Sequence, residues 1–240
     1  ISMQENQQLP RDFASLSPTL RSVLESAAKL QDIVPDAVLV GGSAAALYAG
    51  HRDSFDHHHV LRDLADRYSI VIDAVEASEG WATSLRASKP PFTVLGSLDG
   101  VEAGLRQLRR SRPLETSLYE LGDGRSVAVP TLEETLRIKV YLVVQRNAVR
   151  DYLDVVALGD TIGLVQAGTI LRSIDTYYLD RAETEGSVLS QLVLKLSLPK
   201  PKDPEVTAQL RSYKGLVPRW QDWSVVQEAC RELSQELAIL

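Results

Sequence analysis

Residues 38–60 read VLVGGSAAALYAGHRDSFDHHHV, and the fold turns on this stretch. An apolar run ends in Gly41-Gly42-Ser43, an alanine-rich helical segment follows, and Arg52, Ser54, Asp56 and His58 arrive on a second extended run. A glycine pair ahead of a hydroxyl lets the backbone approach a phosphate closely and offers it the N–H groups of a helix N-terminus. Residues two apart in a strand face the same side. Asp56 and His58 are therefore expected to face such a phosphate together, with His57 and His59 turned the other way. Three adjacent histidines on a strand cannot converge on one ion, which argues against a zinc site. Without Asp56, the Gly-Gly-Ser turn would read as tight strand-to-helix packing.

Working outward, Ser17-Pro18 reads as an N-cap and first-turn proline. Leu20, Val23, Leu24, Ala27, Ala28, Leu30 and Ile33 follow at helical spacing, and Pro35-Asp36 ends the helix. Residues 37–40 form a short buried strand, 43–49 a helix and 55–60 a second strand, and 61–76 reads as one helix. Asp99-Gly100 between the apolar runs 92–98 and 101–108 predicts a hairpin, and Gly122-Asp123-Gly124 predicts another. Thr131 with Glu134 three residues on predicts a capping box. Helices are then expected to about Arg146, over 147–163, over 164–184 and over 224–240, with 198–203 a loop. The expected plan is α+β: residues 1–130 an α/β half with a mixed, mostly antiparallel sheet, and residues 131–240 a helical half that completes a cleft.

Composition bounds the function. The 240 residues are 44% apolar and 24% charged with a formal net charge of -6, so nucleic-acid binding requires a local basic patch. One cysteine, Cys230, allows no intramolecular disulfide and fits a reducing, cytoplasmic setting. No apolar run reaches the ~20 residues of a membrane span, so no membrane partner is expected. Residues 4–13 lack the charged-then-apolar pattern of a leader, and Ile1-Ser2 ahead of Met3 are set aside.

Three further groups can carry chemistry. In 101–106, Val101, Ala103 and Leu105 alternate with Glu102, Gly104 and Arg106. Glu102 is a candidate third carboxylate for a metal site, or else pairs with Arg106 on a solvated hairpin face. Lys139 and Arg146 share a helix face and, with Arg150, Asp151 and Asp154, either grip a polyphosphate or form a surface lattice of ion pairs. Arg106, Arg109, Arg110 and Arg112 either seat an RNA backbone or form a solvated loop.

Together these residues resemble the AbiEii-type toxins of type IV toxin–antitoxin systems, members of the nucleotidyltransferase (DNA polymerase β-like) superfamily. The resemblance covers 38–158: GGSAAALYAGHR with S-x-D, an acidic strand position at Glu102, the PTLEETLRIK helix, and R-x3-R-D-x2-D. It implies a polymerase-β-like nucleotidyltransferase fold and transfer of a nucleotide from an NTP to an acceptor such as tRNA. It also implies Mg²⁺ as cofactor and a cognate antitoxin as partner. Carried over, Gly41, Gly42, Ser43, Arg52, Ser54, Lys139 and Arg146 would bind nucleotide. Asp56, Glu102, Lys139 and Asp151 would serve catalysis, and Asp56, His58 and Glu102 would hold metal. The departure is His58, which stands where the family has a second aspartate. Imidazole is a poor Mg²⁺ ligand. The site is then expected to use Mn²⁺, to hold metal weakly through Asp56 and Glu102, or to bind nucleotide or RNA without chemistry, as a pseudoenzyme.

Overall fold

The first helix begins as its residues dictate. The Ser17 hydroxyl accepts the Leu20 N–H at 3.1 Å, and Pro18 has no N–H to satisfy in the first turn. In the computed structural model, which describes residues 9–239, α1 spans Pro18–Ile33, β1 Val38–Val40, α2 Gly41–Ala49 and β2 Asp56–Leu61. Part of the 4–13 segment read for a leader pattern lies outside the described residues. Then come α3 (Tyr68–Glu76), β3 (Trp81–Thr83), β4 (Thr93–Leu98), β5 (Val101–Gln107), β6 (Thr116–Glu120) and β7 (Ser126–Pro130). The remainder is helical: α4 (Leu132–Arg146), α5 (Val149–Ile162), α6 (Leu164–Leu171), α7 (Ile174–Tyr177), α8 (Leu179–Glu185), α9 (Val188–Ser197) and α10 (Trp223–Ala238).

The expected mixed, mostly antiparallel sheet is present, in the order β1-β2-β5-β4-β3. Only β2 and β5 run parallel, with Asp56 opposite Glu102 and His58 opposite Gly104. Asp99 (φ 51°) and Gly100 (φ 81°) both adopt the left-handed conformation that closes a two-residue hairpin between β4 and β5. β6 and β7 form a separate two-stranded sheet.

Burial alternates strictly along β2. Its inner face joins Leu61 with Leu105, Val94, Leu98 and the apolar sides of α1 and α3. Helix α2 packs on two sides. Ala46 and Leu47 meet α1 and β7, while Ala45 and Tyr48 enter the core of α4 and α5. Small side chains on α2 permit that double packing. Among the described residues no single helix is long and apolar enough to cross a membrane; α5 and α6 reach that length only together and are bent by 114°.

Several local expectations are corrected. The single helix over 61–76 is replaced by the end of β2, a 3-10 turn at Leu64–Asp66, and α3. The Ala65 N–H goes to the Gln107 side chain at 2.9 Å, and Arg67 pairs with Asp36, so the first turn is drawn into tertiary contacts. The capping box is half made. Thr131 caps Glu134 N–H at 3.2 Å, but the Glu134 carboxylate accepts the Glu115 N–H and pairs with Arg110.

The helix expected over 164–184 is three short ones, and α9 occupies a stretch with no expected helix. The break has a purpose in the chain path. Asp175 accepts from the Ser187 hydroxyl (2.6 Å) and the Val188 and Leu189 N–H groups (2.7 and 3.3 Å), capping α9 from outside its own sequence. Asp175→Ala is expected to lower unfolding free energy by about 1–2 kcal/mol, read as a shift in urea midpoint at unchanged m-value. An unshifted midpoint would show that the Ser187 hydroxyl alone suffices as the cap.

Candidate functional site

Val40 leaves β1 extended, and Gly41 at φ 80° turns the chain into α2. A side chain is strained in that conformation. Gly41→Ala is therefore expected to cost about 1–2 kcal/mol, measurable by thermal melting, and an unchanged melting temperature would contradict the assignment of strain. Gly42 is needed for a different reason. A Cβ there would lie 2.6 Å from Arg52 Nη2, so the guanidinium lies directly over the glycine. The first N–H groups of α2 open on a cavity of about 360 Å³ whose lining includes Gly41, Gly42, Asp56, His58, Lys139 and Arg146.

β2 presents Asp56 and His58 to this cavity, and parallel pairing brings Glu102 of β5 beside Asp56. One ligand atom from each of the three lies within 4.8 Å of the others. The His58 Nε2–H donates to Asp56 Oδ2 at 3.2 Å, and the Ser54 hydroxyl donates to Asp56 Oδ1 at 3.3 Å. The hydrogen bond from His58 holds the Asp56 carboxyl below the usual carboxylate range against the opposing effect of burial, with help from Lys214. The donor set of two carboxylates and an imidazole fits one divalent ion after small side-chain rotations. His57 and His59 are fully buried on the other face, where His57 meets the Ser26 hydroxyl at 2.8 Å.

Gly104, opposite His58, makes room for the ring. A Cβ at 104 would stand 2.7 Å from His58 Nδ1 and 2.5 Å from Leu95 Cδ2. Gly104→Ala is expected to displace the imidazole from the acids and cost about 1–3 kcal/mol by overpacking. Loss of stability by chemical denaturation, with a shifted His58 resonance, would check both halves of that expectation.

Beneath the cavity lies a charged network with almost no exposure. Asp154 accepts from Arg52 Nε (2.8 Å) and Nη2 (2.9 Å), meets His51 Nε2 at 2.6 Å, and pairs with Lys139 Nζ at 2.8 Å. Burial alone would raise the Asp154 carboxyl, but Arg52, Lys139 and His51 outweigh it and hold it well below its ordinary value. Burial likewise opposes the Arg52 charge and is outweighed by Asp154. For His51, burial wins over the pull of Asp154 and lowers the imidazole. Asp151 receives a two-pronged contact from Arg146 Nε (2.6 Å) and Nη2 (2.7 Å), with Lys139 Nζ at 3.8 Å.

The expected residues thus divide by what they face. Gly41, Gly42, Arg52, Ser54, Asp56, His58, Lys139 and Arg146 line the cavity. Asp151 does not: it is fully buried and touches Arg146 and Lys139 from behind. Ser43 is also spent elsewhere. Its side chain is buried and its hydroxyl donates to the Asp56 carbonyl at 2.6 Å, so it tethers β2 to α2 and has only its backbone N–H to offer a ligand. The arginine cluster splits. Arg106, Arg109 and Arg110 line the cavity, but Arg110 is buried and paired with Glu134 at 2.7 Å, and Arg112 lies on the Tyr177 ring.

Lys214 escaped the sequence reading. It lines the cavity from a turn at φ 43°. Two backbone bonds hold that turn along 51–53: Asp53 N–H to Lys214 O (2.8 Å) and Val217 N–H to His51 O (2.9 Å). Phe55, half exposed beside Asp56, has the Lys214 ammonium 5.9 Å from its ring centroid. The Lys-Gly dipeptide at 214–215 marks a turn, but nothing in it points to residues 160 positions earlier. Among the described residues Arg106, Arg109, Arg150 and Lys214 have no ion-pair partner, and Asp56 is the one carboxylate lining the cavity. Burial, with Arg109, Arg146 and Arg150, pushes the Arg106 guanidinium down; burial and Arg52 do the same to Lys214. An anionic ligand would relieve both.

No family model matches the chain. Among curated proteins it is similar to the heme uptake protein MmpL11 of Mycobacterium tuberculosis, 31% identical over 222 residues that cover 81% of this chain and 21% of that protein. It is also similar to the mycolic acid-containing lipids exporter MmpL11 of Mycolicibacterium smegmatis, 26% identical over 248 residues, 97% of this chain and 23% of that protein. The chain therefore spans about a fifth of the length of the curated relatives it matches. Among solved structures it is similar to an antigenic nucleotidyltransferase-like protein from Paracoccidioides brasiliensis, at 17% identity and TM-score 0.45, covering 73% of this chain and 93% of that one. It is likewise similar to JHP933 from Helicobacter pylori, at 15% identity and TM-score 0.45, covering 93% of this chain and 92% of that one.

Proposed function

We propose that this chain is a nucleotidyltransferase of the AbiEii kind, which transfers a nucleoside monophosphate from an NTP to an acceptor hydroxyl on RNA. The observation that carries the reading is the meeting of Asp56 and His58, which line the cavity at a glycine-started helix, with the exposed Glu102 beside them; among the described residues the cavity's cations Arg106, Arg109, Arg150 and Lys214 have no ion-pair partner. Phosphate oxygens would be received by the α2 N–H groups and by Arg146, Arg150, Arg106 and Lys214. Asp154 and Asp151 hold Lys139 and Arg146 in place from below, so these groups need not reorganise as charge moves to the leaving pyrophosphate.

The acceptor oxygen attacks the α-phosphorus, its proton passes to a carboxylate of the Asp56–Glu102 pair, and the bond to pyrophosphate breaks. Asp56, His58 and Glu102 would hold a divalent ion, which would supply charge stabilisation at the transferring phosphoryl group. Support for a nucleic-acid acceptor comes from Phe55 and Lys214 at the cavity mouth, an exposed ring for base stacking beside a cation for a phosphate. The protein's net charge of -6 confines that contact to a local patch.

The test is incubation with each α-labelled NTP, short RNAs and bulk tRNA, in Mg²⁺ and in Mn²⁺. Labelled RNA is the expected product. Absence of label together with absence of NTP binding by calorimetry would end the reading. His58 in an otherwise acidic set favours one second reading, a nucleotide-binding protein without transfer. NTP binding with no label under either metal would select it.

A further inference from the structure

Building on the nucleotidyltransferase reading, we infer that the Asp56–His58–Glu102 site selects Mn²⁺ over Mg²⁺, with His58 Nε2 as a direct ligand that sets the preference. Three observations carry this. The first is the chemistry of the donors. Two carboxylate oxygens and one ring nitrogen converge within 4.8 Å. Mg²⁺ demands near-ideal octahedral geometry and surrenders its water reluctantly, whereas Mn²⁺ accepts the same oxygen-rich octahedral shell and, as a first-row transition ion, also takes nitrogen donors.

The second is that the imidazole is built in. His58 sits across from Gly104 in the β2–β5 register, and any side chain at 104 would begin 2.7 Å from His58 Nδ1. β5 thus leaves a gap in which the ring rests, with Nδ1 inward and Nε2 toward Asp56 Oδ2 at 3.2 Å. Rotating the ring away would require leaving that gap, so Nε2 stays beside Asp56; to ligate an ion it gives up the hydrogen of that contact, the ring proton then residing on Nδ1.

The third is charge. Imidazole adds no negative charge to the two carboxylates, and Lys214 and Arg106 line the same cavity as Asp56. A hard ion held chiefly by Coulomb attraction loses most in these surroundings. An ion that gains from a nitrogen donor loses less.

The probe is the metal alone, without nucleotide. Mn²⁺ is titrated into the full chain and free Mn²⁺ is followed by electron paramagnetic resonance. Mg²⁺ is then added as competitor, and the bound ion is interrogated by pulsed resonance for coupling to ¹⁴N. The expected result is one bound Mn²⁺ with imidazole ¹⁴N coupling that resists displacement by equimolar Mg²⁺. In His58→Asp the ¹⁴N signal should vanish and equimolar Mg²⁺ should now displace the bound Mn²⁺. The wild-type ¹⁴N signal stands even if that variant fails to fold.

Bound Mn²⁺ without ¹⁴N coupling, displacement by equimolar Mg²⁺, or no binding at all would overturn the inference. So would an unchanged preference in a folded His58→Asp. Because occupancy is read without nucleotide, failure of label transfer leaves the metal assignment standing, and an empty metal titration sinks it whatever the label shows.

Discussion

Asp154→Ala is expected to destabilise the protein by about 3–5 kcal/mol, the cost of removing one partner from a fully buried ion cluster. The carboxylate is wholly inaccessible, and Arg52, Lys139 and His51 all converge on it at 2.6–2.9 Å. Without it, two buried cations face each other with only Asp151, 3.8 Å from Lys139, to offset them. Asp154→Asn keeps the shape and hydrogen-bonding atoms but removes the charge, so it should also be destabilising, by a smaller margin. Urea unfolding at constant pH measures both. A loss below about 1 kcal/mol in Asp154→Ala would mean that water enters and solvates the freed cations, as it does around exposed pairs. The same substitution should loosen Arg52 over Gly42 and Lys139 beneath the cavity, so NTP affinity should fall along with stability.

The second large effect is on chemistry. Asp56→Asn is expected to lower the rate of label transfer by on the order of 10²–10³-fold while leaving the fold intact. Asp56 is part-exposed and accepts from Ser54 and His58. An amide of equal size can keep those contacts in part, but it lacks the charge that opposes the surrounding cations. NTP binding should hold or strengthen, because Asn removes the one carboxylate that faces incoming phosphates. Unchanged transfer in Asp56→Asn would remove Asp56 from the reaction and with it the role given to the three-residue cluster. Equal losses in transfer and in melting temperature would make Asp56 a structural residue.

What local sequence specified, it specified through periodicity and turn chemistry. Alternation on 56–60 separated His58 from His57 and His59, since a strand has no other way to distribute them. Asp99-Gly100 fixed a hairpin and thereby the strand that carries Glu102. The helix expected through 61–76 failed because the Ala65 N–H found its partner in the Gln107 side chain and Arg67 found Asp36. The missed α9 takes its cap from Asp175, a residue in another element.

The candidate site divides the same way. Gly41, Gly42, Asp56 and His58 were legible because a short stretch of chain positions them all. The function of Asp154, the burial of Asp151, the loss of the Ser43 hydroxyl to the Asp56 carbonyl and the arrival of Lys214 were not. Each depends on which charge or carbonyl the packing of separate elements brings close, whether they lie a few residues apart or more than a hundred. The sequence by itself determined β1, β2, both hairpins, the turn that starts α2 and the residue types at its mouth, because backbone geometry repeats over a few residues. Only the tertiary structure decided which cations remain unpaired for a ligand, because a buried charge takes the nearest opposite charge that the fold brings to it.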